Sequence, residues 1–543
     1  MMETITHKIF LLTNPTTDTW TDISADVLLR ESTWTHGIPS TSPTVRVASV
    51  GYARLMLRND TYGGRAGNRF SPGHANCITG FEVGAKIEIK SYWRDFAFTR
   101  WVGWIAPQGI QESTSPELKI VMIMAYDWMY FALNNKVTLQ EIGIDKTLGE
   151  IATDLAGLIE AQPSKIELST YSETFANTND TVRENTTVMG ELDKAVMSEM
   201  GYAYIKYGQT TDKDILMIEG REHRDTVPLF YYYPLLDSEK DYLTDEDGNH
   251  LTDESGNRIL ISSRGEFVDG IPSMLMPKIL HGANYANKVI GKAYPREVGA
   301  TSVIFTLNEP IRIDAGEIIE NLRISYVVKE GYVDVAARDV SITDYAMNSL
   351  ENGTGVDLTT DLTITPEFGS ADARLTLENT GAADAYITVL ELSGDPIYIA
   401  DTVEQFIEVP SVSDKYYGKI EMLLDQKYQT VPARTLDQIT LLVVRYSTKT
   451  NSIESFTICA SKNAASAAIY MMCDVGSKIP LASTDFGINE PYFIQGVEVR
   501  MEGNATFVTY TVKPARYDTY IFWLLGESGY SELGDTTILG IED

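Results

Sequence analysis

The chain has 543 residues, a length that suggests three to four domains. It carries 44 Lys and Arg against 76 Asp and Glu, a formal net charge of −32. That balance argues against general binding to a nucleic-acid backbone or to anionic lipid, both of which need cationic side chains.

With 43% hydrophobic and 22% charged residues, the composition is that of folded protein and not of an acidic disordered tail. Cys77, Cys459 and Cys473 are an odd set at wide spacing, which opposes a disulfide framework and fits a reducing cytosol. No apolar run is long enough to cross a bilayer, and Met1 to Leu12 has too short an apolar core for a secretory signal. Folding inside a cell, without stable membrane binding, is the expectation.

In chain order, residues 1–135 read as mostly strand. Val45 to Leu57 mixes β-branched and apolar residues, Ala85 to Lys90 alternates, and Leu118 to Met124 is an almost continuous apolar run. Tyr62 to Pro72 is a Gly-rich loop between them, and Gly37 to Pro43 is another. The period then changes. Thr147-Leu-Gly-Glu150 predicts a capping box ahead of Leu148, Ile151, Leu155 and Leu158 at helical spacing. A second amphipathic helix carries Val188, Leu192, Val196 and Met200 and stops near Gly201. With strands at Tyr202–Tyr207 and Ile215–Ile218, this is a small α+β unit over about 140–225.

Residues 236–268 are polar, and Leu243 to His250 recurs as Leu251 to Arg258, a pattern of short exposed hairpin rungs. Residues 300–400 read as all-β and suit a sandwich, with a turn at Gly394-Asp-Pro396. Pro432 to Val444 reads as helix, and the rest is strand-rich to about Trp523.

One internal similarity outweighs the single motifs. Val83-Gly-Ala-Lys-Ile87 matches Val475-Gly-Ser-Lys-Ile479. About twenty residues later come Trp101-Val-Gly-Trp-Ile105 and Phe493-Ile-Gln-Gly-Val497, each followed by a long apolar strand. Two copies of one β module, flanking other domains, are the expectation.

Catalytic patterns are absent or weak: there is no His-Glu-x-x-His, Cys-x-x-Cys or Gly-x-Ser-x-Gly. Gly63-Gly-Arg-Ala-Gly67 lacks the Gly-Lys-Ser/Thr end of a phosphate loop. Asp245, Asp247, Asn249, Asp253 and Asn257 depart from Ca²⁺-loop spacing, so solvated turns are the favoured reading there. No cofactor, metal or catalytic residue is assigned.

Several segments, in order, resemble the tail-hub and minor tail proteins of long-tailed bacteriophages, which are related to baseplate hub proteins. They are Gly51 to Asn59, Arg69-Phe-Ser-Pro72, Gly84 to Ile89, Trp101 to Ile105 and Ala125-Tyr-Asp-Trp128, then Leu192 to Gly201 and Glu219 to Arg224. Asp384 to Thr388, Asp395 to Tyr398, Asp414 to Gly418, the helix ending near Tyr446, Tyr492 to Gly496, Lys513 to Ala515, Trp523 to Gly526 and Ser531 to Thr537 complete the series.

The resemblance implies a mainly β, multidomain fold. Two tube-like β-barrel modules (1–139 and 405–543) would flank a small α+β domain (140–228), a connecting segment with the acidic repeat (229–299) and a β-sandwich (300–404). It implies a structural virion component, not an enzyme: a homotrimeric hub at the tail tip. Six similar modules would there join a sixfold tail tube to a threefold tip. The implied partners are the tail tube or distal tail protein, the tape measure, and tip or fibre proteins. DNA would only pass through the lumen, and synthesis would take place in the host cytoplasm. Gly63, Gly64, Gly67, Arg69 and Phe70 form the candidate interface loop. A glycan-binding tail-tip adhesin and a cell-wall hydrolase hub are the alternatives.

Overall fold

Alternation along the first strand sets the first sheet. In the computed structural model, β1 (Thr6–Asn14) turns His7, Ile9 and Leu11 inward and leaves the residues between them partly covered. The structure describes residues 3–515 apart from 115–118, 138, 172, 181–185, 209–212, 231–274, 283, 327–334, 400–401, 411–417, 449–450, 484–485 and 504. The acidic repeat and the segment beyond 515 lie outside the described residues.

The first module continues with β2 (Thr19–Asp22), β3 (Thr33–Gly37), β4 (Tyr52–Arg58), β5 (Lys86–Trp93), β6 (Phe96–Thr114) and β7 (Lys119–Tyr126). They are hydrogen-bonded antiparallel in the order β3-β4-β7-β6-β5-β1-β2. Residues 23–28 bridge the two ends of this row. The Ile23 N–H donates to the Ile9 carbonyl at 2.9 Å, and the Leu28 N–H to the Met56 carbonyl at 2.7 Å.

Helix α1 (Trp128–Asn134) follows, capped by the Asp127 carboxylate on the Met129 N–H at 3.1 Å. The α+β unit holds β8 (Gly143–Thr147), α2 (Leu148–Gly157), β9 (Lys165–Leu168), β10 (Thr174–Thr178), α3 (Val188–Glu199), β11 (Tyr202–Tyr207) and β12 (Asp214–Glu219). The capping box is formed: the Glu150 N–H donates to Thr147 Oγ1, and the Thr147 N–H to Glu150 Oε2 at 2.8 Å. Helix α3 ends with Met200, not Gly201, in the left-handed region at φ +62.

Strand β13 (Leu275–His281) then pairs with β25 (Asn451–Cys459), more than 150 residues later. Between them lie two inserted layers. One is a small sheet of β14 (Lys288–Ala293), β23 (Val403–Glu408) and β24 (Glu421–Asp425), covered by helix α4 (Pro432–Tyr446). Val289, Leu424, Ile439 and Leu442 are buried in the core they share. The other is the sandwich. One of its sheets gathers β15 (Arg296–Val298), β16 (Ser302–Thr306), β17 (Ile311–Ile313) and β19 (Val335–Asn348) on β22 (Ala385–Ile399). Its second sheet has the order β18 (Ile318–Ser325), β21 (Asp372–Asn379), β20 (Leu362–Phe368). Leu375, Leu377, Ile387 and Leu392 fill the space between the two sheets.

The chain closes with helix α5 (Ala464–Met472), β26 (Lys478–Ser483), β27 (Ile488–Glu502) and β28 (Ala505–Pro514). Two separate barrels were expected at the two ends of the chain. Among the described residues no sheet closes into a barrel, because β27 pairs edge to edge with β3 and fuses both ends into one twelve-stranded sheet. The second module is also discontinuous, since its first strand, β13, precedes the sandwich.

Candidate functional site: two joined copies of one strand module

Strands β3, β4, β5, β6 and β7 pair in the order β3-β4-β7-β6-β5, and β13, β25, β26, β27 and β28 pair as β13-β25-β28-β27-β26. Chain order, sheet order and antiparallel sense are the same in both copies. The repeated Val-Gly-x-Lys-Ile string is the turn that opens the third strand of each. Gly84 and Gly476 sit at φ +83 and +85, in the left-handed region that a side chain strains.

Their hydrogen bonds match as well. The Gly84 N–H donates to the Ile105 carbonyl and the Ile105 N–H to the Ala85 carbonyl, both at 2.9 Å. The Gly476 N–H donates to the Ile494 carbonyl and the Ile494 N–H to the Ser477 carbonyl, again at 2.9 Å. The Lys86 ammonium lies 4.6 Å from the Trp104 ring centre, and the Lys478 ammonium 5.5 Å from that of Phe493. Trp104 and Phe493 are therefore the equivalent aromatics. Aligning Trp101 with Phe493, as the sequence strings suggest, is three residues out of register.

The copies meet where β3 runs antiparallel to β27, from Gly37 opposite Gly496 to Thr33 opposite Arg500. At Gly37 a Cβ would run into the Gln495 carbonyl, so glycine permits the close approach. Beneath the joint lies Asp474, in the turn before Gly476. Its Oδ1 accepts from His36 Nε2 of β3 at 2.6 Å, and its Oδ2 from the Tyr207 N–H of β11 at 2.9 Å. One carboxylate thus ties both modules to the α+β unit. Burial alone would raise its pKa, but His36, Arg100 and the Tyr207 N–H lower it to about 2. Arg100 donates to the Cys473 carbonyl at 3.1 Å and lies over the Tyr470 ring.

A second tie is His7, whose Nδ1 and Nε2 lie 2.9 Å from Ser91 Oγ in the first module and Thr506 Oγ1 in the second. Burial and then the Arg100 charge lower its pKa to about 3, so the ring is neutral. Asp474 and its neighbours were not singled out from sequence. The available signal was the acidic residue two places before the repeated glycine, Glu82 in one copy and Asp474 in the other.

The Gly-rich loop is more committed to its own chain than its composition suggests. Gly63 and Gly64, at φ +60 and +80, make a tight turn in which the Arg65 N–H donates to the Tyr62 carbonyl at 3.0 Å. Arg65 and Arg69 both reach the buried Asp26 carboxylate, at 2.8 and 3.1 Å. Phe70 is fully buried, edge-on to Phe81, and its N–H donates to Asn59 Oδ1. Gly67 is partly covered, and its carbonyl accepts from Asn76 Nδ2 at 3.2 Å. Of the five candidate residues, Gly63 and Gly64 are the exposed ones.

No protein-family model matches the chain, and no curated protein matches it. Similar solved structures include the 43 kDa tail protein of prophage MuSo2 from Shewanella oneidensis. It is 8% identical, with a TM-score of 0.46, over 94% of this chain and 99% of that one. The tail protein from Neisseria meningitidis MC58 is 7% identical, with a TM-score of 0.45, over 95% of this chain and 99% of that one. Prophage tail protein gp18 from Listeria monocytogenes EGD-e is 10% identical, with a TM-score of 0.37, over 93% of this chain and 94% of that one.

The chain resembles phage tail proteins. The duplication stands on the strand registers of this chain.

Proposed function

We propose that this chain is a structural component of a phage tail, set at the tail tip, where three copies form a ring. The observation that supports the ring is the duplication. One chain offers two modules of the same topology, joined through unlike edges, β3 on one and β27 on the other. A joint between unlike edges is heterologous, and heterologous joints close into rings when the rotation permits. Three copies would bring six modules to that ring, suiting a sixfold tube on one side and a threefold tip on the other.

The placement at the tip, with the tail tube or distal tail protein, the tape measure and tip or fibre proteins as neighbours, follows the sequence resemblance. The sandwich and the α+β unit would decorate the ring, and the exposed Gly63-Gly64 turn would reach toward a neighbour. A net charge of −32 per chain would keep passing DNA from adhering. The chain so placed is a scaffold in the virion, without a catalytic role.

The test is the mass of the purified full-length assembly, together with its symmetry in electron micrographs. A threefold particle with six similar lobes is the expected result. A chain that stays monomeric at every concentration reached would overturn the ring.

A further inference from the structure

The small sheet of β14, β23 and β24 carries helix α4 on one of its faces. Gly291 lies on the covered face, since a Cβ there would run into Thr435 and Ile439 of the helix. Val289, Met422 and Leu424 point the same way and are buried. The alternate residues form the opposite face, and the register sets them in three rows. Ile290 lies between Phe406 and Leu423, Lys288 between Glu408 and Glu421, and Lys292 between Glu404 and Asp425. Phe406 is 60% exposed and Leu423 49%, with Ile290 half-buried between them. A parallel strand pair such as β14 and β24 is ordinarily covered on both faces. Here the second face is open among the described residues.

The two outer rows carry the same order of charge, a lysine between two carboxylates. Lys288 reaches Glu421 at 2.5 Å and Lys292 reaches Glu404 at 2.7 Å. Glu408 and Asp425 are met from beyond the rows, by Lys419 at 2.5 Å and Lys427 at 3.1 Å. Within the rows, four carboxylates therefore flank the apolar stripe against two lysines. Ion pairs this exposed are weakly held, so their carboxylates can still accept from an incoming cation.

We propose that this face seats an amphipathic helix of another protein, lying across the strands with basic residues on both flanks. The inference goes beyond the ring and does not depend on it. Neighbouring strands lie about 4.8 Å apart, close to the 5.4 Å pitch of an α-helix. Apolar side chains at i, i+4 and i+7 therefore fall on Phe406, Ile290 and Leu423 in turn. The charged rows lie about 7 Å to either side, two residues along each strand. A helix about 10 Å wide brings its flanks over them. The carboxylates at the two ends of a row are two strand spacings apart, which matches cations at i and i+7 on the helix. An acidic helix would instead meet four carboxylates. At a net charge of −32, a second copy of this chain is a poor source of the basic helix required.

The probe is a synthetic peptide of about 18 residues, with Leu at i, i+4, i+7 and i+11, Lys on both flanks and Ala elsewhere. A second peptide carries Glu in place of every Lys. Each is titrated calorimetrically into the full-length chain at about 0.15 M salt, which screens diffuse attraction to an acidic protein. The Lys peptide is expected to bind one per chain. Its affinity should fall about tenfold or more in the double variant Phe406→Ser and Leu423→Ser. Both side chains are exposed, so the variant should melt where the parent does. The Glu peptide should not bind. A Lys peptide that fails to bind, or that binds parent and variant alike, would overturn the site. A Glu peptide that binds as tightly would overturn the basic flanks. Sedimentation without peptide covers the remaining occupant: self-association weakened by the two serines would put a second copy on this face and sink the helix. A chain that stays monomeric yet binds the Lys peptide through Phe406 and Leu423 would overturn the ring and leave this site standing.

Discussion

His7 shows how one side chain can set the pH range of a multidomain chain. Its imidazole is neutral in the fold, with a pKa lowered from 6.5 to about 3 by burial and by Arg100. The unfolded chain therefore takes up a proton first as pH falls through 6.5, and stability is lost from there down to about 3. Linkage puts the loss at roughly 3 kcal/mol over the first two pH units. His7→Gln keeps hydrogen-bonding groups toward Ser91 and Thr506 without the proton uptake. Thermal melts between about pH 7 and about pH 4.5 should flatten in this variant, and an unchanged slope would place the titrating group elsewhere. Asp474 acts in a lower window. Its pKa is depressed from 3.8 to about 2, so its contribution is complete above 3.8 and disappears as pH falls through 2. Asp127 has the opposite sign. Burial raises its carboxyl pKa well above 3.8, against the lowering effect of the Gly51 and Met129 backbone. Its contribution is complete below 3.8 and declines as pH rises. Asn caps a helix as well as Asp does, so Asp127→Asn should raise stability at neutral pH, read as a higher denaturation midpoint.

At the scale of elements, the two glycine turns give a controlled pair. Alanine at either position pays for a left-handed backbone, about 1 kcal/mol. At Gly84 a Cβ meets nothing within 4 Å, whereas at Gly476 it runs into the Tyr204 hydroxyl of β11. That hydroxyl donates to Glu219 Oε1 at 2.6 Å and is fixed in place. Gly84→Ala should therefore cost about 1 kcal/mol and Gly476→Ala at least twice as much, by chemical denaturation of each variant. Equal costs would mean that the α+β unit does not rest on the second turn. The turns themselves were legible because their five-residue strings are local, as was the capping box at Thr147 and Glu150. Helix α5 was not. Ala464–Met472 is apolar on nearly all sides and largely buried, so it lacks the polar face that separates helix from strand in a short run. The alignment of β6 with β27 failed for a different reason. The first copy takes 21 residues from its glycine to the returning isoleucine and the second takes 18, and only the hydrogen bonds reveal the difference. The β3–β27 joint spans more than 450 residues and the β13–β25 pairing more than 150, and neither alternation nor turn chemistry encodes a partner at that distance.

At the scale of the whole molecule, the proposed ring must hold against charge. Each chain carries −32, and three chains in the proposed ring would bring like charges together without a change in their number. Backbone hydrogen bonds and apolar contacts depend little on salt, while repulsion between exposed carboxylates is screened, with a Debye length of about 10 Å at 0.1 M. Ion pairs between chains would work the other way, but an exposed pair is worth ~1 kcal/mol or less. Repulsion should therefore dominate the salt dependence. The assembly constant, measured by sedimentation of the 60.4 kDa chain over a salt series, should rise as salt increases from about 20 mM to about 200 mM. A ring held mainly by ion pairs would loosen over the same range. Tightening with salt would separate a ring held by backbone and apolar contacts from one held by electrostatic contact between surfaces. Loosening with salt would instead place the main contact on charged faces such as the Glu404–Lys292 row of β23 and β14, away from the sheet edges.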